Sequence, residues 1–248
     1  MNNKNYKDSA VILDKGGRDY MEDTYSLEFG GDNLVYGGVY DGHGGAKTAE
    51  FLSNHLLSFF IESLSEGNSP QKSFEKAYRK SDKKLKGEDS GACAANFFFE
   101  EGNLFWANVG DSKIIIAKEG GHKELTVEHR LDNPSEQERI KEAGGEIRYP
   151  YMIKGGRGMM PTRAIGDEYF KSIGLTAKPS VGKYKIKQED LFLVAATDGL
   201  FDVVENEEIQ DLANKTDSSD ELAESLRELA LDERNGDDNI AIIVISLQ

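Results

Sequence analysis

The chain has 248 residues, with 45 acidic and 30 basic side chains, a formal net charge of -15, and one cysteine. A chain of this length buries roughly three quarters of its unfolded surface on folding, so it needs no disulfide or metal staple. The negative charge excludes a general nucleic-acid binder, which would carry clustered lysine and arginine, and disfavours anionic membranes. The lone Cys93 has no partner for an internal disulfide, which indicates a reducing, intracellular compartment.

From the first residues and the apolar stretches, we expect neither a signal peptide nor a membrane span in this sequence. The first ten residues, MNNKNYKDSA, are polar and are interpreted as a mature start. The most apolar stretches, 191–197 and 240–247, are far shorter than the ~20 residues of a membrane span and are predicted to be core strands. No repeat or linker divides the chain. We therefore expect a single domain over residues 1–248, monomeric and cytoplasmic, or nuclear in a eukaryote.

The hydrophobic pattern predicts a block of strands, a pair of helices, more strands, and then helices before a final strand. Strands are identified by short apolar or alternating runs, and helices by apolar residues spaced three and four apart. The predicted strands are 9–13, 24–29, 34–40, 92–99, 103–109, 114–117, 124–127, 191–196 and 240–247. The predicted helices are 45–65, 73–86, 134–143, 205–213 and 220–231. The first three strands should pair as antiparallel neighbours.

This order of elements lacks the regular βαβ alternation of a parallel sheet. It favours an α+β fold, with a central antiparallel β-sandwich of two sheets flanked by helices on both outer faces. Residues 147–167 are glycine-rich, are predicted to be irregular, and are interpreted as a surface flap within the domain. The strand ends and loops at the rim of such a sandwich are the places where functional groups converge.

Acidic residues stand repeatedly at the ends of predicted strands. They are Asp41-Gly42, Asp111-Ser112 and Asp198-Gly199, together with Asp237-Asp238 directly before the last strand. Any one of these is most simply a turn. Together they indicate a cation site, because a glycine after aspartate leaves room for a ligand and frees its own carbonyl.

The segment RDYMED, residues 18–23, adds a cation to these carboxylates. If it is extended, Arg18 and Glu22 share one face about 13 Å apart, while Asp23 points to the other face. Alone, this pattern fits an exposed, salt-bridged strand. Together with the other acidic motifs, it suggests that Arg18 and Glu22 lie at opposite ends of one binding site.

In this order, the motifs resemble those of the metal-dependent protein serine/threonine phosphatases of type 2C. The resemblance covers about residues 9–246. The matching motifs are RDYMED at 18–23, DGHGG at 41–45, NVGDS at 108–112, NP at 133–134 with ERI at 138–140, AGG at 143–145, TRAIGD at 162–167, TDGLFD at 197–202 and DN at 238–239. Each motif alone is weak, but the ordered series with similar spacing is specific.

The resemblance implies a role for each matching residue. It implies two divalent ions on Glu22, Asp41, the Gly42 carbonyl, Asp198 and Asp238, a third, weaker ion on Asp111, supporting positions at Asp23 and Asn239, phosphate binding by Arg18, and a general acid at His43. Oxygen ligands of this kind favour Mg²⁺ or Mn²⁺ over Zn²⁺. Two such ions lower the pKa of a bridging water from ~15.7 toward neutrality. At that pKa the bridging water is present as hydroxide. The expected reaction is direct attack of this hydroxide on the phosphorus of phosphoserine or phosphothreonine in a protein substrate.

Two other classes stay open. An inactive scaffold of this fold would bind protein partners without chemistry, but such proteins usually lose metal-site carboxylates, which are intact here. A two-metal nuclease should carry a basic track, which a net charge of -15 does not favour. The sequence departs from the family pattern at 91–93 and 128–131 without losing a proposed ligand, and the charged run 72–86 is interpreted as a solvated helix face.

Overall fold

Two antiparallel sheets face each other in the computed structural model, which describes residues 6–31 and 34–247. In spatial order, the first sheet contains β1 (Ser9–Asp14), β14 (Ile240–Ser246), β13 (Asp190–Ala196), β6 (Lys113–Lys118) and β7 (Gly121–Glu124). The second sheet contains β12 (Ser180–Lys185), β5 (Asn103–Val109), β4 (Gly91–Glu100), β3 (Val35–His43) and β2 (Thr24–Phe29), with β11 (Ile165–Gly166) paired to β4. This arrangement confirms the predicted sandwich.

Helices cover both outer faces of the sandwich, as predicted. The helices are α1 (Lys47–Ser65) and α2 (Pro70–Lys84) on the second sheet, α6 (Asn206–Ala213) and α7 (Ser219–Arg227) on the first, and α3 (Pro134–Glu142), α4 (Glu168–Lys171) and α5 (Asp198–Phe201) in the connections. A π-helical turn, Glu228–Glu233, continues α7. Among the described residues, the structure contains no helix that is both long and apolar enough to cross a bilayer.

The last strand shows why the layers assemble in this way. From Ile240 to Val244, its even-numbered residues pack under α6 and α7. From Ala241 to Ile245, its odd-numbered residues pack between the sheets. Because successive side chains in a strand point to opposite faces, a strand covered on both sides is a continuous apolar run. Full burial of one such isoleucine contributes about 1.5 to 3 kcal/mol.

The first strand differs from its predicted pairing. β1 runs antiparallel to β14 in the first sheet, whereas β2 and β3 pair in the second, so the predicted neighbourhood is correct only for β2 and β3. Ala10 and Ile12 pack toward the helices, and Val11 packs between the sheets. The position beside β14 is covered on both faces, which suits this pattern. The connection 15–23 therefore crosses from one sheet to the other at the rim of the sandwich.

The segment predicted to be an irregular flap contains a small antiparallel sheet. Its strands are β8 (Glu146–Arg148), β9 (Tyr151–Lys154) and β10 (Arg157–Met159). Met152 and Met159 pack with Ile140 and Phe170 in a separate apolar cluster. Strands of three or four residues are too short to produce a clear period of two in the sequence. Pro161 lies beyond the end of β10, so its missing N–H interrupts no ladder.

Candidate functional site

A cavity of about 270 Å³ lies at one rim of the sandwich, and we call it the rim cavity. It is formed by the end of β3, the turns that follow β5 and β13, and the residues before β14. Its lining residues are Arg18, Glu22, Asp41, Gly42, His43, Cys93, Asp111, Asp198, Asp238 and Asn239, with Gly158, Met159, Met160 and Pro161 of the flap. The structure thus brings the predicted site residues together, except that Asp23 is buried and does not line the cavity.

The carboxylates in and under the rim cavity repel one another. Burial, and then the charges of Asp198 and Asp23, hold the pKa of Asp41 well above its usual range. Burial and the charge of Asp111 do the same to the pKa of Asp198. Burial raises the pKa of Asp23 from 3.8 to about 7, although a hydrogen bond from Thr197 opposes the rise. A cation among these groups would relieve the repulsion and favour their ionised forms.

Two carboxylate oxygens at this site also lack partners. Within the part of the chain that the structure describes, Oδ2 of Asp23 and Oδ1 of Asp111 are buried and accept no hydrogen bond. Leaving a buried polar group unsatisfied costs about 1 to 3 kcal/mol, and more when the group is charged. Oxygen donors that are crowded, buried and unsatisfied fit a hard divalent cation such as Mg²⁺ or Mn²⁺.

Cys93 lies closer to this cluster than the sequence indicates. It stands opposite Asp41 in the β3–β4 register, and its Sγ lies within 4.8 Å of carboxylate oxygens of Asp41 and Asp111. Burial, and then the charges of Asp111 and Asp41, hold the pKa of the thiol well above its usual range. Because the thiolate is the nucleophile and the metal ligand, this environment fits a small, inert, buried residue.

Residues 15–23 form a looped connection, so RDYMED does not have the extended conformation considered for it from the sequence. Gly16 has a φ of +58°, and a Cβ atom there would come within 2.2 Å of the Asp238 carbonyl oxygen. This turn requires glycine and breaks the alternation on which the prediction of a shared strand face depended. Arg18 and Glu22 nevertheless both reach the cavity.

Asn239 holds that loop against the start of β14. Its Nδ2 donates to the carbonyl oxygens of Lys15 and Tyr20, at 2.9 Å each. Its Oδ1 accepts from the backbone N–H of Glu22 at 2.7 Å. One amide side chain makes all three bonds, because it carries both donors and an acceptor. Asn239 therefore positions the chain that carries Arg18 and Glu22.

Arg18 and Asp238 contact each other in this structure. Nη2 of Arg18 lies 2.6 Å from Oδ2 of Asp238, and the arginine side chain is 54% exposed. Oε1 of Glu22 accepts from the backbone N–H of Gly45 at 2.5 Å. The predicted phosphate-binding group and one predicted metal ligand thus neutralise each other.

His43 pairs with Asp167, the last residue of the TRAIGD motif. Its Nε2 lies 2.8 Å from Oδ2 of Asp167, whose side chain is nearly fully buried. Burial lowers the pKa of His43, but the hydrogen bond and charge of Asp167 outweigh it and raise the pKa overall. A Cβ atom at Gly91 would come within 1.8 Å of the Asp167 carboxylate, so this close approach requires glycine. The sequence identified the motif but not this contact.

Arg130 is a cationic residue of the site that the sequence analysis did not assign. Its Nε lies 2.7 Å from Oδ2 of Asp111, and its Nη2 lies 2.9 Å from Asp202 and 3.6 Å from Asp198. It stands in the segment 128–131, where the sequence departs from the family pattern, and that departure was the available signal. Arg130 holds one oxygen of Asp111, and the other, Oδ1, has no hydrogen-bond partner among the described residues.

A second group of charges, which we call the Glu136 cluster, joins α3 to the end of the flap. Oε2 of Glu136 lies 2.6 Å from Arg139 and accepts from the Thr162 hydroxyl at 2.7 Å. Oε1 accepts from Arg163 at 2.5 Å. Although burial opposes the shift, hydrogen bonds from Arg163 and Thr162 lower the pKa of Glu136 to about 2. This carboxylate is 1% exposed and fully paired, so it fits a structural contact.

Comparison with known sequences relates the chain to one family. Residues 14–239 match the family model described as Protein phosphatase 2C. Probable protein phosphatase 2C member 13, mitochondrial, of Oryza sativa subsp. japonica is 32% identical over 240 residues, which cover 93% of this chain and 66% of that protein. Probable protein phosphatase 2C 45 of the same organism is 32% identical over 93% of this chain and 84% of its own length. Against other such relatives, the chain spans about half of the length, for example 49%.

Comparison with solved structures supports the same fold. Serine-threonine phosphatase 2C from Toxoplasma gondii superposes with a TM-score of 0.87 at 22% identity, over 97% of this chain and 94% of that one. At this identity the likeness concerns the fold, and the family assignment depends on the sequence match. The sequence match shows that this chain belongs to the type 2C family of metal-dependent protein serine/threonine phosphatases.

Proposed function

We propose that this chain hydrolyses phosphoserine and phosphothreonine monoesters in protein substrates. Residues 1–248 would form one catalytic domain, with residues 147–167 as the flap beside the rim cavity. The observation that carries the proposal is the set of crowded carboxylates in and under that cavity, among them groups with raised pKa values and groups with unpaired oxygens. Buried, mutually repelling carboxylates stay ionised only with a counter-charge, and a phosphatase of this family uses metal ions.

The metal ligands of the proposal are the oxygen donors of the rim cavity. Two Mg²⁺ or Mn²⁺ ions would be held by Glu22, Asp41, the Gly42 carbonyl, Asp198 and Asp238, supported by Asp23 and Asn239, and a third, weaker ion by Asp111. When bound, such ions polarise phosphoryl oxygens and lower the pKa of water in contact with them.

Arg18 would bind the phosphate oxygens that do not react. Its guanidinium group is half exposed at the rim cavity, and its fork of donors matches two phosphate oxygens. In the free protein this group is paired with Asp238. When Arg18 turns to a phosphate, Oδ2 of Asp238 becomes available to a cation. Phosphate binding and cation binding should therefore favour each other.

His43 would give a proton to the departing serine or threonine oxygen. Its Nε2 is engaged by Asp167, so Nδ1 is the ring nitrogen left for the substrate. Asp167 fixes the orientation of the ring and favours the charged imidazolium, which has a proton to donate. The side chain is 31% exposed and lines the cavity, within reach of a bound ester.

Hydrolysis of a phosphothreonine peptide and of p-nitrophenyl phosphate, with Mn²⁺ or Mg²⁺ and with EDTA, tests this proposal. We expect turnover only with metal, and a loss of at least about 100-fold in kcat/KM for Asp198→Ala, because ligand loss should exceed the effect of losing an outer partner. The matched control is Asp220→Ala, on the exposed face of α7. Full activity of Asp198→Ala would contradict the ligand assignment, and an intact chain without metal-dependent turnover would favour the scaffold alternative.

A further inference from the structure

A second groove, of about 490 Å³, lies between α2 and residues 176–179, and we call it the α2 groove. Ala177 and Pro179 are buried residues in its lining. On the α2 side it is lined by Lys72, Lys76 and Arg79, and Lys178 lies on the side of residues 176–179. None of these residues lines the rim cavity. The groove therefore combines a small apolar surface with basic walls.

The charge around this groove is opposite to that of the chain. Residues 70–86 carry seven basic and two acidic side chains, whereas the whole chain has a net charge of -15. A concave surface with a surplus of one sign of charge concentrates ligands of the other sign. The groove is thus a local positive region on an acidic protein, and an acidic ligand is complementary to it.

The basic side chains of the groove differ in how they are neutralised. Lys72 pairs with Glu75 at 2.7 Å, and Lys76 pairs with Glu66 at 2.8 Å. Throughout residues 6–31 and 34–247, Arg79 has no carboxylate within 4.0 Å, and the same holds for the ammonium group of Lys178. Both side chains are exposed. They are the groups available for an acidic ligand.

Two acidic residues, Glu75 and Asp82, also line the groove, and they leave it with more basic than acidic side chains. Asp82 connects the groove with the rim cavity. Oδ1 of Asp82 lies 2.9 Å from Nζ of Lys171 and accepts from the backbone N–H of Gly166 at 3.1 Å. The next residue, Asp167, contacts His43. Asp82 thus links the wall of the groove to the segment that supplies the partner of the proposed general acid.

We propose that the α2 groove binds an acidic segment of the phosphoprotein substrate, next to the phosphorylated residue in sequence. Aspartate and glutamate side chains of that segment would pair with Arg79 and Lys178. A small apolar side chain between them would pack on Ala177 and Pro179. This inference rests on the proposed phosphatase function and names the substrate class of the same site. It replaces the interpretation of residues 72–86 as a merely solvated helix face.

The test compares two phosphothreonine peptides of equal length on the full chain with Mn²⁺. One peptide has aspartate and glutamate on both sides of the phosphothreonine, and the other has asparagine and glutamine there. We expect kcat/KM to be about 5- to 10-fold higher for the acidic peptide at low salt, as two exposed ion pairs would give, and the ratio to fall as salt screens them. In the double variant Arg79→Glu/Lys178→Glu the ratio should drop to about 1 or below.

A ratio of two rates on one preparation is independent of how much of a variant is folded. The matched control is Lys123→Glu/Lys215→Glu, which makes the same change in net charge at exposed positions on the side of the first sheet, and it should keep the preference. A ratio near 1 in the unaltered chain, or an unchanged ratio in Arg79→Glu/Lys178→Glu, would overturn the docking groove while leaving the phosphatase function intact. Absence of metal-dependent turnover of both peptides would overturn the function itself, and this inference with it.

Discussion

Buried carboxylates occur both in the rim cavity and in the Glu136 cluster, and the two regions differ in what neutralises them. Glu136 accepts hydrogen bonds from Thr162 and Arg163, and its pKa falls to about 2. Asp41 faces other carboxylates, and burial together with the charge of Asp198 holds its pKa well above its usual range. Burial alone therefore does not distinguish a structural carboxylate from a reactive one. The direction of the pKa shift and the supply of partners do.

If this comparison is correct, substitutions in the rim cavity alter activity, and substitutions in the Glu136 cluster alter stability. His43→Ala should produce the largest effect, a loss of about 1,000-fold in kcat/KM on a phosphothreonine peptide, within the range of general acid catalysis. The loss on p-nitrophenyl phosphate should be at least about 10-fold smaller, since a nitrophenolate leaves without needing a proton. Rates on both substrates measure this difference.

His122→Ala is the matched control for this variant, because His122 lies in β7 and outside the cavity. Its activity should equal that of the unaltered chain. Equal losses on the alkyl and aryl esters in His43→Ala would argue against proton donation by His43.

Glu136→Ala should have the opposite profile. Removing the carboxylate leaves Arg139 and Arg163 without their shared partner, and breaking a buried ion pair in this way costs about 3 to 5 kcal/mol. We expect about 3 kcal/mol less free energy of unfolding in urea, because both arginines keep some contact with water. Glu142→Ala, an exposed position of α3, should stay within about 0.5 kcal/mol of the unaltered chain. If Glu136→Ala unfolded at the same urea concentration as the control, the structural role assigned to Glu136 would be wrong.

The sequence predicts the carboxylates of the rim cavity better than it predicts their partners. Asp41, Asp111 and Asp198 each follow an apolar run, and the ends of strands in one sandwich meet at its rim, so a local pattern identified them. The contact between His43 and Asp167 joins residues 124 positions apart, which no local pattern encodes. The segment of Arg130 departs from the family pattern, but the contacts of Arg130 depend on carboxylates that other loops bring to it, and no local pattern encodes those.

The strands show the same division between local and distant information. β14 is apolar on both faces and was found, whereas β12 (SVGKYK) is an edge strand with exposed Lys183 and Lys185, so its sequence resembles a loop. The predicted partner of β1 was also wrong. The first strand pairs with the last because of burial on both faces and not because of proximity in sequence.

Removal of metal should lower the stability of the folded protein by an amount that depends on pH. In the metal-free protein, the pKa of Asp23 is about 7 against 3.8 for the unperturbed group, so the folded state binds protons more tightly and loses stability as pH rises between these values. A divalent ion at 100 times its Kd would add about 2.7 kcal/mol. We expect the rise in Tm with Mg²⁺ relative to EDTA to be larger at pH 8 than at pH 5, where protons compete with the ion. Equal rises at both pH values would show that these carboxylates do not hold the ion.

The stability contributed by Glu136 should depend on pH with the opposite sign to that contributed by Asp23. The pKa of Glu136 is about 2 when folded against 4.5 for the unperturbed group, so its contribution is complete above pH 4.5 and is lost as pH falls toward 2. In Glu136→Gln that titration is absent. In EDTA, the difference in unfolding free energy between the unaltered chain and this variant should therefore shrink by about 3 kcal/mol between pH 5 and pH 2. The carboxylates of the rim cavity, which both proteins share, become easier to bury over the same range and cancel in the difference. A difference that stays constant across this range would mean that the arginines do not hold Glu136 ionised, and the contrast between the two regions would then lie in their exposure instead of their partners.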